Sequence, residues 1–447
     1  MKRIALLLII MLALTSCTPQ NIKRYNDINN DDTSTLKEQE NQTNDENENS
    51  ENVVELKITR HPSPQNLKKC FDLKELPKYD ENANWVWQVD LRSGDLSTWD
   101  VSDRLYDLMN SLFDSQTIWP IELPKGFDPD KIMEIGKNPG LNIRSLHNEG
   151  ITGKGVGIAI IDYALLVDHV EYKDRLKMYE EIHHSSKRAH FHGPGVASLV
   201  VGKTTGVAPE ADLYFIASQN YESSKKEKKL ITNFSYTAQC IERIIDLNKS
   251  LENDKKIRAI SISSAWNPEK SNGYEEMVKA IEKANDEGIF VISCSLPQYN
   301  EKFHFHGLAR EPMKDPDDFE SYSIIPWDKW ISKVNHVDDY DEFYASEFDK
   351  IKEKQVLAVP IDSRAIAGSS GNDDYVFYRE GGWSWAVPYI AGLYVLSCQV
   401  KPDITPEIFW DEAYNTGIAR EIEKDGSKYE TRIINPVDLM KRLEELE

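Results

Sequence analysis

Three short segments carry side chains whose types could act together on one bond. The first, GKGVGIAIIDYALLVDHVEY, ends an apolar run at Asp162, and the carboxyl end of such a strand is where parallel sheets present functional side chains. An aspartate that only caps the following turn would read the same way. The second, HFHGPGVASLVVG, sets His192 ahead of Gly-Pro-Gly and a small, apolar, helix-compatible stretch, where glycine lets two backbones approach closely. The third, GGWSWAVPYIAGLYVLSCQ, opens another such stretch at Ser384, with Pro388 in or near its first turn. A serine at a helix N-terminus keeps its own N–H and the helix dipole beside any oxyanion formed on an acyl carbon. A different chemistry is open to the tetrapeptide His-Phe-His-Gly, found at 190–193 and again at 304–307. On extended strands residues i and i+2 share a face, so His190/His192 and His304/His306 are candidates for a four-histidine metal site.

The second segment resembles the histidine motif of the subtilisin-like serine proteases, His-Gly-Thr-His-Val-Ala-Gly. The matching residues are His192, Gly193, Val196 and Ala197, followed by Gly206, Val207, Ala208 and Pro209. The third resembles that family's Gly-Thr-Ser-Met-Ala-x-Pro-x-Val-Ala-Gly at Gly382, Ser384, Ala386, Pro388, Ile390, Ala391 and Gly392. The order Asp162, His192, Ser384 is also the subtilisin order, against other orders in chymotrypsin and the α/β-hydrolases. The resemblance covers residues from about 135 to 420. It implies an α/β fold with a seven-stranded type of parallel sheet flanked by helices, and peptide-bond hydrolysis through an acyl-enzyme. In that reading Ser384 is the nucleophile, His192 takes its proton, and Asp162 orients the imidazole and stabilises its cation. No cofactor is required. Family members often bind structural calcium, but this sequence identifies no ligand set for it. Ser263 and Ala265, in SISSAW, align with the Ser-Leu-Gly segment that pairs with substrate backbone, and Trp266 is placed to narrow the cleft.

The chain departs from the family pattern at defined places. The second His of the histidine motif is Gly195, and the Thr and Met flanking the nucleophile are Trp383 and Trp385. The Gly-Asn pair that carries the oxyanion amide is replaced by Leu296-Pro297, leaving Gln298 as the candidate donor and Asn300 as a second. Losing one such donor costs roughly 10²–10³ in turnover. An active endopeptidase acting on proteins or peptides therefore stands beside an alternative, a catalytically weak or inactive protease-like scaffold that binds peptides or a protein partner.

Elements able to hold these residues are readable around them. Near-continuous apolar runs at 156–162, 211–217, 258–264, 289–295 and 355–361 suit strands buried on both faces. GYEEMVKAIEKANDEG puts Met277, Ala280, Ile281 and Ala284 on one helical face and stops at Gly288. Upstream, DVSDRLYDLMNSLFDS predicts a helix capped by Asp100 or Ser102, with Leu105, Leu108, Met109 and Leu112 on its inner face. Trp85, Trp87, Trp99 and Trp119 in the same region read as packing residues, a sugar- or peptide-stacking surface being the less common use.

The chain has 447 residues, 75 Asp+Glu against 53 Lys+Arg, a formal charge of -22, and 40% hydrophobic residues. That is a globular composition, and its charge argues against a nucleic-acid partner. Lys2 and Arg3, an apolar run from Ile4 to Leu14, then Thr15-Ser16-Cys17 form an export signal too short to span a bilayer. This region resembles bacterial lipoprotein precursors, which implies cleavage before Cys17, a lipid on that cysteine, and anchoring of the exported protein to the cell membrane. The expected organisation is a signal peptide over 1–16, a lipidated cysteine and polar tether over 17–52, a Trp-rich extension over 53–134, and a subtilisin-like peptidase domain over 135–447. The remaining cysteines, Cys70, Cys240, Cys294 and Cys398, form no C-x-x-C pair, and the last three lie in apolar stretches that suit buried thiols.

Overall fold

A computed structural model describes residues 56–66, 74–83, 86–224, 229–266, 272–300, 302–325, 354–424 and 427–446. Cys17, the tether, Cys70 and Trp85 lie outside them.

The site is built on a parallel sheet in the order β4 (Leu176–Ile182), β5 (Asp212–Ser218), β3 (Gly157–Asp162), β8 (Ile257–Ile262), β9 (Phe290–Ser293). The apolar runs are continuous because both faces of these strands are buried. On β3, Ile158 and Ile160 enter a core shared with the helices His192–Val201 and Trp383–Val400. Ala159 and Ile161 enter another, shared with the helices Ser235–Ser250 and Tyr274–Asp286. In the last of these Met277, Ala280, Ile281 and Ala284 are the buried residues, and Gly288, at φ +73°, adopts the left-handed conformation that ends it.

The single seven-stranded sheet expected from the resemblance is divided. Five parallel strands form the sheet above, while β12 (Gln355–Pro360) lies in a second five-stranded sheet. There it runs parallel to β10 (Phe303–Arg310) and β16 (Ser427–Ile433), with β11 (Tyr322–Ile325) and β15 (Ile418–Lys424) antiparallel at the edges. A hairpin of β6 (Tyr221–Ser224) and β7 (Lys229–Thr232) follows β5.

The upstream extension joins the body through a four-stranded sheet to which both contribute strands. Strand β2 (Ser111–Asp114) pairs parallel with β1 (Val89–Asp90) and antiparallel with β14 (Tyr375–Tyr378), which pairs with β13 (Arg364–Ala367). The helix expected here is short, Leu105–Met109, with no side-chain cap, and Leu112 belongs to β2. Asp100 instead accepts the Ser102 N–H at 3.1 Å in the preceding turn. Pairing with Tyr375–Tyr378 outweighs a marginal helical period in so short a segment. Trp99 and Trp119 pack against the local core of Val89, Leu108, Phe113 and Phe377. Farther upstream, residues 57–60 run beside β4, with Thr59 N–H donating to Tyr179 C=O at 3.0 Å and Tyr179 N–H to Lys57 C=O at 3.1 Å, and Ser63 pairs beyond it with Lys187 and Ala189.

Candidate active site

Asp162 closes β3 and His192 opens the helix His192–Val201, all ten residues of which are buried. Gly193 makes their meeting sterically possible, because a Cβ there would lie 2.3 Å from the Tyr163 carbonyl oxygen. His192 Nδ1 sits 2.7 Å from Asp162 Oδ1 and 2.9 Å from Oδ2, while Oδ1 also accepts the Tyr163 N–H at 2.7 Å. Both side chains are only 4% exposed. The carboxylate thus fixes the ring so that Nδ1 carries the proton and Nε2 is left with a lone pair. Nε2 has no hydrogen-bond partner among the described residues.

Ser384 is the second residue of the helix Trp383–Val400, so its N–H is one of the first-turn donors that lack an intrahelical acceptor. Pro388, four residues on, has no N–H to offer the Ser384 carbonyl. Ser263 supplies the missing donor: its hydroxyl reaches that carbonyl at 3.0 Å, and the Ser384 hydroxyl donates back to the Ser263 carbonyl at 3.3 Å. The two serines therefore lock the strand end after β8 to the first turn of the helix. From this position the Ser384 hydroxyl needs a side-chain rotation to turn from the Ser263 carbonyl toward an external acceptor.

A cleft beside Asp162 and His192 is also lined by Tyr163, Ser218, Asn220, Thr237, Ser263 and Ser264; Ser384 is not itself among the lining residues and meets it through Ser263. Ala265 is half-buried and is not among the lining residues, its place being taken by Ser264. Ser218, Asn220 and Thr237 carry no sequence signal, because they lie at the end of β5, just after it, and in the helix Ser235–Ser250 without a motif. Trp266 does not narrow the cleft. It is 3% exposed, stacked on Tyr299 at 5.8 Å and tilted against Phe234 at 5.6 Å in the core.

Leu296 to Tyr299 form one helical turn after β9. Gln298 lies within it, and its side chain is outside the described part of the structure. The Asn300 side-chain oxygen accepts the Lys302 N–H at 3.3 Å in a local turn. Ser295, next to the missing Gly-Asn pair, has its hydroxyl committed to Trp266, accepting from its N–H at 2.9 Å and donating to its carbonyl at 3.1 Å. Burial, with the Asp162 charge second, pushes the Cys294 thiol well up, which keeps it protonated and unreactive beside the cleft.

The two His-Phe-His-Gly segments do not form a metal site. Phe191 is helical (φ -55°, ψ -30°), so His190 and His192 are not on an extended strand. His190 Nδ1 instead accepts the His192 N–H at 3.3 Å, and burial with the His192 charge pushes its imidazole down to about 3. His304 and His306 do share a strand, β10. His306 Nε2 bonds the Tyr429 hydroxyl at 2.6 Å, and burial alone pushes that ring down to about 3. Among the described residues no three His, Cys, Asp or Glu side chains cluster as metal ligands.

The two tryptophans that replace flanking residues of the serine motif are both buried. Trp385 stacks on His192 at 5.6 Å and 30° between planes, and Trp383 on Phe305 at 6.2 Å.

The sequence profile described as the subtilase family matches residues 153–416. Among curated proteins the chain is similar to Subtilisin-like protease 2 of Arthroderma otae, 24% identical over 230 residues, which are 51% of this chain and 49% of that protein. The chain thus spans about half the length of the curated relative it matches. Among solved structures it is similar to the prenylagaramide maturation protease PagA, at a TM-score of 0.43 and 15% identity over 67% of this chain and 98% of that one.

Proposed function

The chain belongs to the subtilase family, and from that premise we propose that it is a serine endopeptidase in which Asp162, His192 and Ser384 cleave peptide bonds through an acyl-enzyme. The observation that carries this reading is the buried His192–Asp162 pair, which leaves Nε2 without a partner among the described residues and able to act as a base. The Ser384 hydroxyl rotates off the Ser263 carbonyl and delivers its proton to His192 Nε2 as Oγ attacks the acyl carbon. Asp162 stabilises the imidazolium, and the first-turn N–H of Ser384 meets the oxyanion. The imidazolium then protonates the leaving amine, and a water molecule deprotonated by the same ring releases the acyl group.

The experiment is covalent labelling with a fluorophosphonate probe. Wild type labels on Ser384 and hydrolyses casein or peptides, and Ser384→Ala does neither while remaining folded. Undiminished hydrolysis by the purified variant would remove the assignment.

A second reading, a protease-like scaffold that binds without turnover, is favoured by Leu296-Pro297 where the family carries its oxyanion amide. Absence of both labelling and turnover in the wild type selects it.

The proposed setting is the outer face of a cell membrane, with a lipid on Cys17 and the polar stretch behind it as tether. No described helix is long and apolar enough to cross a membrane. Cys17→Ala releases the protein from the membrane fraction in this reading, and unchanged retention with normal processing contradicts it.

A further inference from the structure

The candidate base is one of five rings that close a loop, and another of them comes from the upstream extension. His192 stacks on Trp385 at 5.6 Å, Trp385 meets Tyr378 edge-on at 5.7 Å, and Tyr378 meets Trp87 at 5.2 Å. Trp87 in turn meets Phe191 edge-on at 6.0 Å, and Phe191 precedes His192 in the chain. Trp87 is also tied to the loop that leads into Ser384. Its Nε1–H donates to the Glu380 carbonyl at 2.9 Å and its backbone N–H to the Glu380 carboxylate at 3.3 Å. Its φ of +60°, uncommon for a residue with a Cβ, holds the ring in this corner. Behind it, the buried Arg92 donates to the Tyr378 hydroxyl at 3.0 Å and pairs with Asp90 at 2.7 Å, with its guanidinium 5.7 Å from the Tyr378 ring.

Resting on the endopeptidase reading, we propose that Trp87 is a positioning residue for His192, and that the extension carrying it is a permanent part of the catalytic unit, not a segment shed on maturation. Asp162 fixes one edge of the imidazole, but a single edge leaves the ring free to tilt about the Nδ1 bond. Trp385 restricts that tilt only if it is itself held, and Tyr378 and Trp87 hold it. Aromatic pairs of this geometry attract through their ring quadrupoles beyond what their buried area supplies, so each ring restrains the next. Small misplacements of a reacting group cost up to about 10²-fold in rate. Removing residues 56–134 would also strip β2 from β14 and so uncover the strand that carries Tyr378.

The test uses the full chain and two readouts: the pH profile of fluorophosphonate labelling, and the downfield NMR resonance of the proton between His192 and Asp162. Trp87→Ala is expected to slow labelling by about tenfold or more, with a shifted pH profile and a displaced or broadened resonance. Trp87→Phe, which keeps the two ring contacts, should label within about threefold of wild type, and Ile121→Ala, at a fully exposed position of the extension, should match it. Should Trp87→Ala fail to fold, Trp87→Leu fills the space without a flat ring and takes its place. A folded Ala or Leu variant with wild-type rate, profile and resonance overturns the proposal, as does a fully active mature chain whose N-terminus lies beyond Trp87. Failure of the peptidase reading is separate: the wild type would not label at all, while the resonance would still report whether Trp87 holds the ring.

Discussion

Gly195 leaves the space that Trp385 fills: a Cβ on Gly195 would lie 3.3 Å from the Trp385 ring and 2.6 Å from Ile366 Cδ1. These are two of the positions at which the chain departs from the subtilase pattern, the first being His in the family's motif and the second Met. The two positions are neighbours in the fold. A Cβ on Gly195 would crowd Ile366 first and the indole second.

The cycle of Gly195→Ala, Trp385→Met and the double variant should therefore be non-additive. Gly195→Ala alone overpacks the site, and about 1–3 kcal/mol of stability should be lost. In the Trp385→Met background the share of that cost owed to the indole should fall, because a flexible thioether can move aside, while the Ile366 contact remains. Denaturant unfolding of the four proteins measures the difference, and strict additivity would show that the two residues are independent.

Ser263→Ala should destabilise the chain because it removes the donor that replaces the missing Pro388 N–H, leaving the Ser384 carbonyl unsatisfied at a cost of about 1–3 kcal/mol. Restoring an N–H with Pro388→Ala should shrink that cost, since the helix can then satisfy the carbonyl itself. An equal loss in both backgrounds, read from unfolding curves, would detach Ser263 from this role.

If Gln298 supplies the oxyanion amide, Gln298→Ala should lower turnover by about 2–4 kcal/mol of transition-state stabilisation with little change in KM. The donor meets full negative charge only in the tetrahedral state, so ground-state binding hardly senses it. Asn300→Ala is the comparison, and its amide oxygen already serves the Lys302 N–H. Steady-state kinetics with a peptide substrate decides between them, and unchanged kcat in both variants would place the donor elsewhere.

Asp374 gives the fold a pH dependence of its own. It is 1% exposed, and burial pushes its carboxyl up to about 6. An unfolded aspartate loses its proton near 3.9, so between the two values the folded state alone retains it. Stability contributed by the protonated form is complete below the lower value and is lost as pH rises through about 6. The advantage of wild type over Asp374→Asn should therefore fall by about 2–3 kcal/mol between pH 4 and 7. Unfolding free energies measured across that range would sink the assignment if the difference stayed flat.

The membership of the chain in its family was legible in the primary structure, and the reason is steric. Gly193 must let a helix reach the end of β3, and Gly392, whose added Cβ would lie 2.7 Å from Val207, lets the Ser384 helix pack closely. Requirements of this kind act through residue type at a set spacing, so they survive in linear order, as do the apolar runs of strands buried on both faces. The same reading misjudged Trp266 and Leu112, because side-chain pattern alone does not say which neighbour from afar covers a residue. Only the tertiary structure decided that Ser263 answers for Pro388, that Gly195 faces Ile366 and Trp385, and that Trp87 belongs to the loop of rings that includes His192. Each of these depends on segments up to about 300 residues apart meeting side by side, and a contact of that kind leaves no period or motif in the chain that makes it.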